Sequence, residues 1–286
     1  MRCLYLLCLL LLNTAYAASD PDAMWTYKSV DGKDLQMSVF LPDDYQSGKQ
    51  FPTFVVFHGG SWNAGDASWH YPDCRYWASR GMIAASVDYR LRDRDKIAVP
   101  LECVKDAKSA IRYLRKNATA LKVDTDRIVV AGGSAGGQLA AATAMITSKA
   151  TNDDVFDVAI SCKPDAVILY NPWFKCQTDL SPTNFVAANL PPFITFLGEK
   201  DPTPVAALKT FHDSLKGAGN ASEYYVGNGA GHGFCNGRNP RNRFFYWSLE
   251  LEDQFLVKHG ILKGPSKVKR PDGVPCLALG ADYVAY

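Results

Sequence analysis

A serine between closely spaced glycines is the first feature of this 286-residue sequence that could do chemistry. Ser134 lies in Gly132-Gly133-Ser134-Ala135-Gly136, a G-x-S-x-G pattern. The apolar, β-branched run 128–131 before it predicts a buried strand, and the Ala-rich stretch 138–145 after it favours a helix. A serine on such a strand-to-helix turn has a strained backbone and an exposed hydroxyl, as a nucleophile needs. The alternative is a glycine-rich turn that only packs tightly or binds a phosphate.

A serine hydroxyl becomes a good nucleophile when a base accepts its proton, and imidazole often does this near neutral pH. The chain has five histidines, and His232 is the one in a glycine-rich loop after the last of the predicted parallel strands. His212 and His259 fall within a helix and at a helix end, where solvation or interaction with the helix dipole is expected. We therefore predict His232 as the base, with a structural histidine as the alternative.

An acid must orient that imidazole, and in a parallel sheet it belongs on a loop at the carboxyl end of a later strand. The predicted strand 193–197 is followed closely by Glu199 and Asp201, just before a helix. We predict Asp201 as the acid, with Glu199 as the second candidate and Asp165 as the third. The alternative for Asp201 is a cap for the helix that follows.

Backbone N–H groups that could stabilise an oxyanion follow another predicted strand, 51–57. The chain continues there as His58-Gly59-Gly60-Ser61, whose small residues leave the amides uncovered. We predict that Gly59, Gly60 and Ser61 form one half of an oxyanion hole. The other half is the N–H of Ala135, directly after the serine.

The elements that must position these residues alternate between strands and helices. The predicted strands are 24–30, 35–41, 51–57, 82–87, 128–131, 166–170, 193–197 and 222–226, and the predicted helices are 72–80, 101–117, 138–145, 205–216 and 242–259. Most strands are apolar on both faces, which predicts a mostly parallel sheet of about eight strands covered by helices on both sides. We expect a single α/β domain over 18–286, with 262–286 as a surface tail pinned through Cys276.

The N-terminal segment indicates export. Arg2 precedes the apolar run 4–12, and Ala15-Tyr16-Ala17 fits a signal-peptidase site, so we predict a signal peptide over 1–17 and a secreted or periplasmic protein. An uncleaved anchor is the alternative, but the run is too short to span a bilayer and no later segment is long enough. The net charge of +2 and interspersed charges give no indication of a nucleic-acid partner.

Six cysteines remain after the predicted cleavage, and an even number in an exported chain favours disulfides over a metal site. The spacing does not determine the connectivity. From expected proximity in the fold we predict the pairs 74–103, 162–176 and 235–276. No cysteine or histidine spacing indicates a metal site, and we expect no cofactor.

From about residue 30 to residue 260 the chain resembles the α/β-hydrolase superfamily. It looks like an esterase of the branch related to the hormone-sensitive-lipase-type and acetyl/feruloyl (BD-FAE-like) esterases. The resemblance rests on the segments already described and on Val87-Asp88-Tyr89-Arg90-Leu91 and Asp126-Arg127-Ile128. It implies a Ser134 nucleophile, an Asp201 acid and a His232 base, with Asp88 to Arg90 as a structural support. It also departs from the family, which often has a third glycine where this chain has Ser61.

The function expected from this resemblance is hydrolysis of short acyl esters. The stretch between Pro172 and Pro191 leaves room for only a small lid, which favours an open site. We therefore expect a small ester or an acylated carbohydrate as substrate, with acetyl as the first candidate for the acyl group and feruloyl as the second. Trp62 and Trp173 follow strand ends near the predicted site and could stack on a sugar or aromatic ring, although core packing is the equal alternative. A prolyl-oligopeptidase-type peptidase and a non-catalytic binding protein remain as rivals, and the oligomeric state is left open.

Overall fold

A nine-stranded sheet forms the centre of the structure, a computed structural model that describes residues 20–153 and 158–286. The predicted signal peptide over 1–17 lies outside the described residues. The strands are Ala23–Val30 (β1), Lys33–Phe40 (β2), Phe51–Phe57 (β3), Ile83–Val87 (β4), Val123–Gly133 (β5), Ala166–Tyr170 (β6), Phe193–Gly198 (β7), Ser222–Gly227 (β8) and Tyr283–Ala285 (β9). The strand order is β1-β2-β4-β3-β5-β6-β7-β8-β9.

The central six strands, β3 to β8, are parallel to one another. At one edge β1 pairs with β2 and β2 with β4 in antiparallel fashion, and at the other edge β9 pairs antiparallel with β8. The prediction of a mostly parallel α/β sheet is therefore confirmed. The predicted count of about eight strands lacked β9, because that strand has only three residues and lies in the stretch expected to be a surface tail.

Helices cover both faces of the sheet. They are Tyr71–Ser79 (α1), Arg92–Asp95 (α2), Leu101–Lys116 (α3), Ala118–Leu121 (α4), Ala135–Met145 (α5), Val205–Gly217 (α6) and Arg243–Lys258 (α7). Short 3₁₀ turns lie at Tyr45–Ser47, Ala67–His70, Lys149–Thr151, Thr178–Leu180 and Pro182–Phe185. None of the helices in the described part of the chain is both long and apolar enough to cross a bilayer.

Two apolar cores result from this layering, one on each face of the sheet. In β3, Val55 and Phe57 belong to the core that also contains α3, α5 and α6 residues, whereas Phe54 and Val56 belong to the core under α1 and α7. All four side chains are fully buried, as expected for a central parallel strand covered on both sides. Parallel strands end at the same edge, so the segments after β3, β5, β6, β7 and β8 lie close together.

The C-terminal tail and the cysteines differ from the predictions. The tail is partly built into the molecule, since β9 extends the sheet and Val274 is buried in one of the cores. All six cysteines of the described residues have free thiols. The pairing 74–103 is wrong because Cys74 and Cys103 lie in different cores, on opposite faces of the sheet. The pairings 162–176 and 235–276 are not formed either.

Candidate active site

Ser134 sits on the turn between β5 and α5. Its φ of 55° and ψ of −117° are far from the usual regions for an L-residue, and its N–H is held by the carbonyl of Tyr170 at 2.9 Å. The glycines on either side are required by close approach. A Cβ on Gly132 would lie 2.1 Å from the carbonyl oxygen of Gly136, and one on Gly136 would lie 2.0 Å from the carbonyl oxygen of Phe57. The sharp turn therefore exists only with glycine at both positions.

Two successive hydrogen bonds connect Ser134 to His232 and His232 to Asp201, although Ser134 and His232 are 98 residues apart along the chain. The Oγ of Ser134 lies 2.9 Å from Nε2 of His232, and Nδ1 of the same imidazole lies 2.7 Å from Oδ2 of Asp201. With the proton on Nδ1, the imidazole donates to the carboxylate and accepts the hydrogen bond of the serine hydroxyl. The three residues that the sequence predicts as nucleophile, base and acid are thus brought together.

The loop after β7 fixes the carboxylate. The side chain of Asp201 is fully buried, and its second oxygen accepts a hydrogen bond from the N–H of Thr203 at 2.8 Å. Glu199, the second candidate for the acid, instead accepts the N–H of Gly229 at 2.6 Å and so supports the loop that carries His232. Asp165, the third candidate, accepts the N–H of Ile128 near the start of the sheet strands. Neither competes with Asp201 for the imidazole.

Asn171, which the sequence analysis did not single out, ties the imidazole loop to β6. Its Oδ1 accepts the N–H of Gly233 at 3.1 Å, and its Nδ2 lies 3.4 Å from Nε2 of His232. Its own N–H donates to the carbonyl of Phe196 at 2.7 Å. A polar residue directly after a buried parallel strand is the signal that could have identified it, because such positions face the ligand-binding edge of the sheet.

Backbone N–H groups without a carbonyl acceptor among the described residues lie near the serine. Gly59, Gly60 and Ser61 line the same cavity as Ser134, and Ala135 begins α5. The N–H groups of Gly60, Ser61 and Ala135 donate to no backbone carbonyl in the described part of the chain. Ser61 adopts a φ of 55°, in the left-handed region that favours glycine. That conformation explains why glycine is common at this position in the family that the sequence resembles.

The cavity in front of Ser134 has a volume of about 300 Å³. Its walls include side chains that the sequence analysis did not assign, namely Trp69, His70, Asp73, Tyr170, Cys235, Asn236 and Arg238. His70 and Tyr170 are buried and their rings stack with centroids 6.2 Å apart. The Nδ1 of His70 lies 3.4 Å from Oδ2 of Asp73. The inner part of the cavity is therefore polar as well as aromatic.

The two tryptophans predicted to bind substrate lie elsewhere. Trp62 is only 8% exposed, packs in the core and donates its indole N–H to Oε1 of Gln138 at 3.2 Å. It does not line the cavity, contrary to the prediction. Trp173 borders a separate apolar hollow of about 290 Å³ that begins at Pro172 and reaches Phe211 on α6. The tryptophan that does line the cavity beside Ser134 is Trp69.

Two further histidines are buried and serve the structure. Burial lowers the pKa of His58 to about 4 and that of His212 to about 3, so both imidazoles are neutral near pH 7. His58 stacks on Tyr89 at 4.4 Å, and its Nδ1 lies 2.7 Å from the carbonyl of Gly59, which places it beneath the predicted oxyanion loop. His212 is fully buried with Nδ1 2.5 Å from Oγ of Ser222. The expectation that His212 is solvated or interacts with the helix dipole is therefore wrong.

The arrangement can support nucleophilic chemistry at a carbonyl carbon. A serine hydroxyl hydrogen-bonded to an imidazole can pass its proton to that ring as the oxygen attacks, and the buried carboxylate stabilises the imidazolium that forms. Free backbone donors next to the same oxygen can stabilise a tetrahedral oxyanion. Within residues 20–153 and 158–286, no group of three or more His, Cys, Asp or Glu side chains is placed to hold a metal ion.

Comparisons with known proteins agree with this geometry. A family model described as BD-FAE matches residues 37–168, a range that includes Gly59, Gly60 and Ser134. The chain is 26% identical to Esterase LipQ of Mycobacterium tuberculosis over 74% of this chain and 56% of LipQ, so it spans about half the length of that relative.

Solved structures of Thermogutta terrifontis esterase 2 are similar over nearly their whole length. The structure phosphonylated by cyclosarin matches with a TM-score of 0.80 and 37% identity over 85% of this chain and 96% of that chain. The propionate-bound structure matches with a TM-score of 0.79 over the same shares. This chain therefore belongs to the α/β-hydrolase esterases of the BD-FAE and hormone-sensitive-lipase type.

Proposed function

We propose that this chain is a serine carboxylesterase that hydrolyses short-chain acyl esters through an acyl-enzyme on Ser134. The observation that carries the proposal is the pair of hydrogen bonds that link Ser134 to Asp201 through His232, at 2.9 and 2.7 Å. Each of the three residues comes from a different loop at the carboxyl edge of the sheet. Their alignment beside uncommitted backbone donors is what acyl transfer requires, and membership of an esterase family supports the same reaction.

In this mechanism Oγ of Ser134 attacks the ester carbonyl while Nε2 of His232 accepts the serine proton. The N–H groups of Gly60, Ser61 and Ala135 stabilise the oxyanion. His232 then passes the proton to the leaving alcohol, and the acyl group remains on the serine. A water molecule, deprotonated by the same imidazole, attacks the acyl-enzyme and releases the carboxylic acid. Asp201 stays ionised and holds the imidazole in the required tautomer.

Short acyl groups are favoured by the size and openness of the site. The cavity holds about 300 Å³, and residues 171–192, between β6 and β7, contain only short 3₁₀ turns rather than a helical cap. Structures of Thermogutta terrifontis esterase 2 have been solved with propionate and with butyrate bound. We propose acetyl groups on carbohydrate as the first substrate class and feruloyl groups as the second, since Trp69 offers an aromatic surface beside the serine.

Export is a separate part of the proposal and rests on residues 1–17. Their charged start, apolar middle and Ala-Tyr-Ala end have the pattern of a secretory signal. N-terminal sequencing of the mature protein from a secreting host tests it. A chain that begins at Ala18 is expected outside the cytoplasm, and a chain that keeps residues 1–17 in the cytoplasmic fraction contradicts export.

The experiment that tests the esterase proposal is hydrolysis of p-nitrophenyl esters, from acetate to long acyl chains, by wild type and Ser134→Ala. We expect wild-type kcat/KM to fall beyond short acyl groups, and the variant to lose at least about 10³-fold in turnover. Acetylated polysaccharide is the substrate to try next. If folded wild type cleaves none of these esters, the esterase proposal is wrong, and a prolyl-oligopeptidase-type peptidase or a binding protein becomes the better reading.

A further inference from the structure

An arginine lies against an aromatic ring on the outer wall of the cavity that contains Ser134. The guanidinium carbon of Arg238 is 4.9 Å from the centre of the Trp69 ring, and both residues line the cavity. Trp69 is half-buried and Arg238 is exposed, whereas His70, Asp73 and Tyr170 on the inner wall are buried. The cation therefore stands at the outer end of the cavity, where part of a bound substrate would pass it.

The charge of Arg238 has no acidic partner within the described residues. Among residues 20–153 and 158–286, its side chain makes one long hydrogen bond, from Nε to Oδ1 of Asn236 at 3.4 Å, and no carboxylate lies within ion-pair distance. Arg243, at the start of α7, pairs with Asp282 at 2.9 Å. The contact with Trp69 and the bond to Asn236 restrict the side chain, and Nη1 and Nη2 keep their N–H donors.

Two carboxylates near the reaction centre already face an imidazole. Asp201 faces the imidazole of His232 at 2.7 Å, and Asp73 faces that of His70 at 3.4 Å. Neither is within ion-pair distance of Arg238. The cavity thus has two carboxylates that face imidazoles near its inner end and, at its outer end, a cation with no ion-pair partner among the described residues. A guanidinium is well suited to bind a carboxylate through two parallel N–H groups.

We propose that Arg238, held against Trp69, binds a carboxylate on the ester substrate and so selects anionic esters. This inference rests on the proposed esterase function and deepens it. Ser134 and Arg238 line one cavity of about 300 Å³, so a single small ester can contact both. The carboxylate belongs either to the alcohol half, as in an acylated hydroxy acid or uronic acid, or to the acyl half, as in a dicarboxylic acid monoester.

Two matched ester pairs distinguish these sources. For the alcohol half the pair is 4-acetoxybenzoate and 4-acetoxybenzamide, and for the acyl half it is the p-nitrophenyl hemiester of succinate and its methyl ester. The two esters of a pair differ in intrinsic reactivity, so the measured quantity is the ratio of their kcat/KM values compared between proteins. Wild type, Arg238→Gln and Arg238→Lys are compared. Arg241→Gln is the control, because Arg241 is an exposed arginine on the same segment that does not line the cavity.

In at least one pair we expect Arg238→Gln to lower the anionic-to-neutral ratio by about tenfold or more, which is the usual size of a hydrogen bond to a charged group. Arg238→Lys restores part of the ratio, and Arg241→Gln keeps it. Added salt lowers the wild-type ratio because the cation is exposed. The pair that responds identifies the half of the substrate that carries the carboxylate.

The proposal is overturned if Arg238→Gln leaves both ratios unchanged. If the variant also lowers kcat/KM equally for the two esters of each pair, the role of Arg238 is purely structural. Failure of the esterase function itself looks different, since wild type would then cleave neither the anionic nor the neutral esters. If wild type cleaves neutral esters and Arg238→Gln changes neither ratio, the carboxylate subsite is contradicted and the esterase proposal still stands.

Discussion

The two sides of the cavity are built differently. On one side Ser134, Asn171 and His232 follow parallel strands, and hydrogen bonds tie them to one another and to the sheet. On the other side Trp69 and Arg238 come from segments outside the sheet, and the contact between them is one ring and one cation 4.9 Å apart. The first side has the groups needed for bond-breaking, and the second has groups that can select a substrate. A fold of this kind can therefore keep its chemistry while its loops change what it binds.

The largest effect that tests this comparison is expected at Asp201. Asp201→Asn removes the buried charge that faces Nδ1 of His232 and favours the wrong imidazole tautomer, so kcat on p-nitrophenyl acetate should fall by about 10³- to 10⁴-fold. Glu199→Gln is the matched control, because an amide oxygen can still accept the N–H of Gly229. A larger loss in Glu199→Gln than in Asp201→Asn would mean that the acid is misassigned.

A smaller effect distinguishes the two tryptophans. Trp62→Phe removes the indole N–H and leaves Oε1 of Gln138 buried without that donor, which should cost about 1–3 kcal/mol of unfolding free energy. Trp69→Phe, at a half-buried position on the cavity wall, should change KM and leave the Tm close to that of wild type. Thermal unfolding and steady-state kinetics of both variants measure this. A Tm that falls more in Trp69→Phe than in Trp62→Phe would contradict the assignment of these two rings.

An effect on stability of similar size is expected from the pH dependence of His212. Burial lowers its pKa to about 3 in the folded chain, whereas an unfolded histidine titrates near 6.5. Below pH 6.5 the unfolded state binds more protons, so the free energy of unfolding falls by up to about 1.4 kcal/mol per pH unit until the pH approaches the folded pKa. Urea unfolding at pH 7.5 and pH 5 should show a smaller decrease for His212→Gln than for wild type. Equal decreases would show that His212 does not contribute.

The sequence predicted well the side of the cavity formed by Ser134 and His232, which follow parallel strands. It predicted poorly the side formed by Trp69 and Arg238, which lie outside the sheet. The apolar strand runs and the glycine pattern around Ser134 have direct physical causes, namely burial on both faces and close backbone approach, so their consequences could be read in advance. Trp62 and Trp69 look alike in sequence, and only the tertiary structure shows that one packs on Gln138 and the other faces the cavity. Likewise, nothing local in Asn236 to Asn242 indicates that Arg238 meets Trp69.

The cysteines and the C-terminal strand were missed for a related reason. Pairing of Cys74 with Cys103 was inferred from expected proximity, but neighbouring elements of a doubly covered sheet can lie on opposite faces. The β9 strand has three residues, which is too short for an alternating pattern to stand out. Its place in the sheet depends on the free edge of β8, a property of the whole fold.

The most direct test of the central claim is the site of covalent modification by paraoxon, which phosphorylates the similar Thermogutta terrifontis esterase 2. Peptide mass spectrometry of the treated protein locates the group, with Ser134→Ala treated in parallel. The mechanism predicts one diethylphosphoryl group, on Ser134, and none on the variant, because only this hydroxyl is activated by His232. A group attached to another residue of wild type, or equal labelling of Ser134→Ala, would contradict Ser134 as the nucleophile.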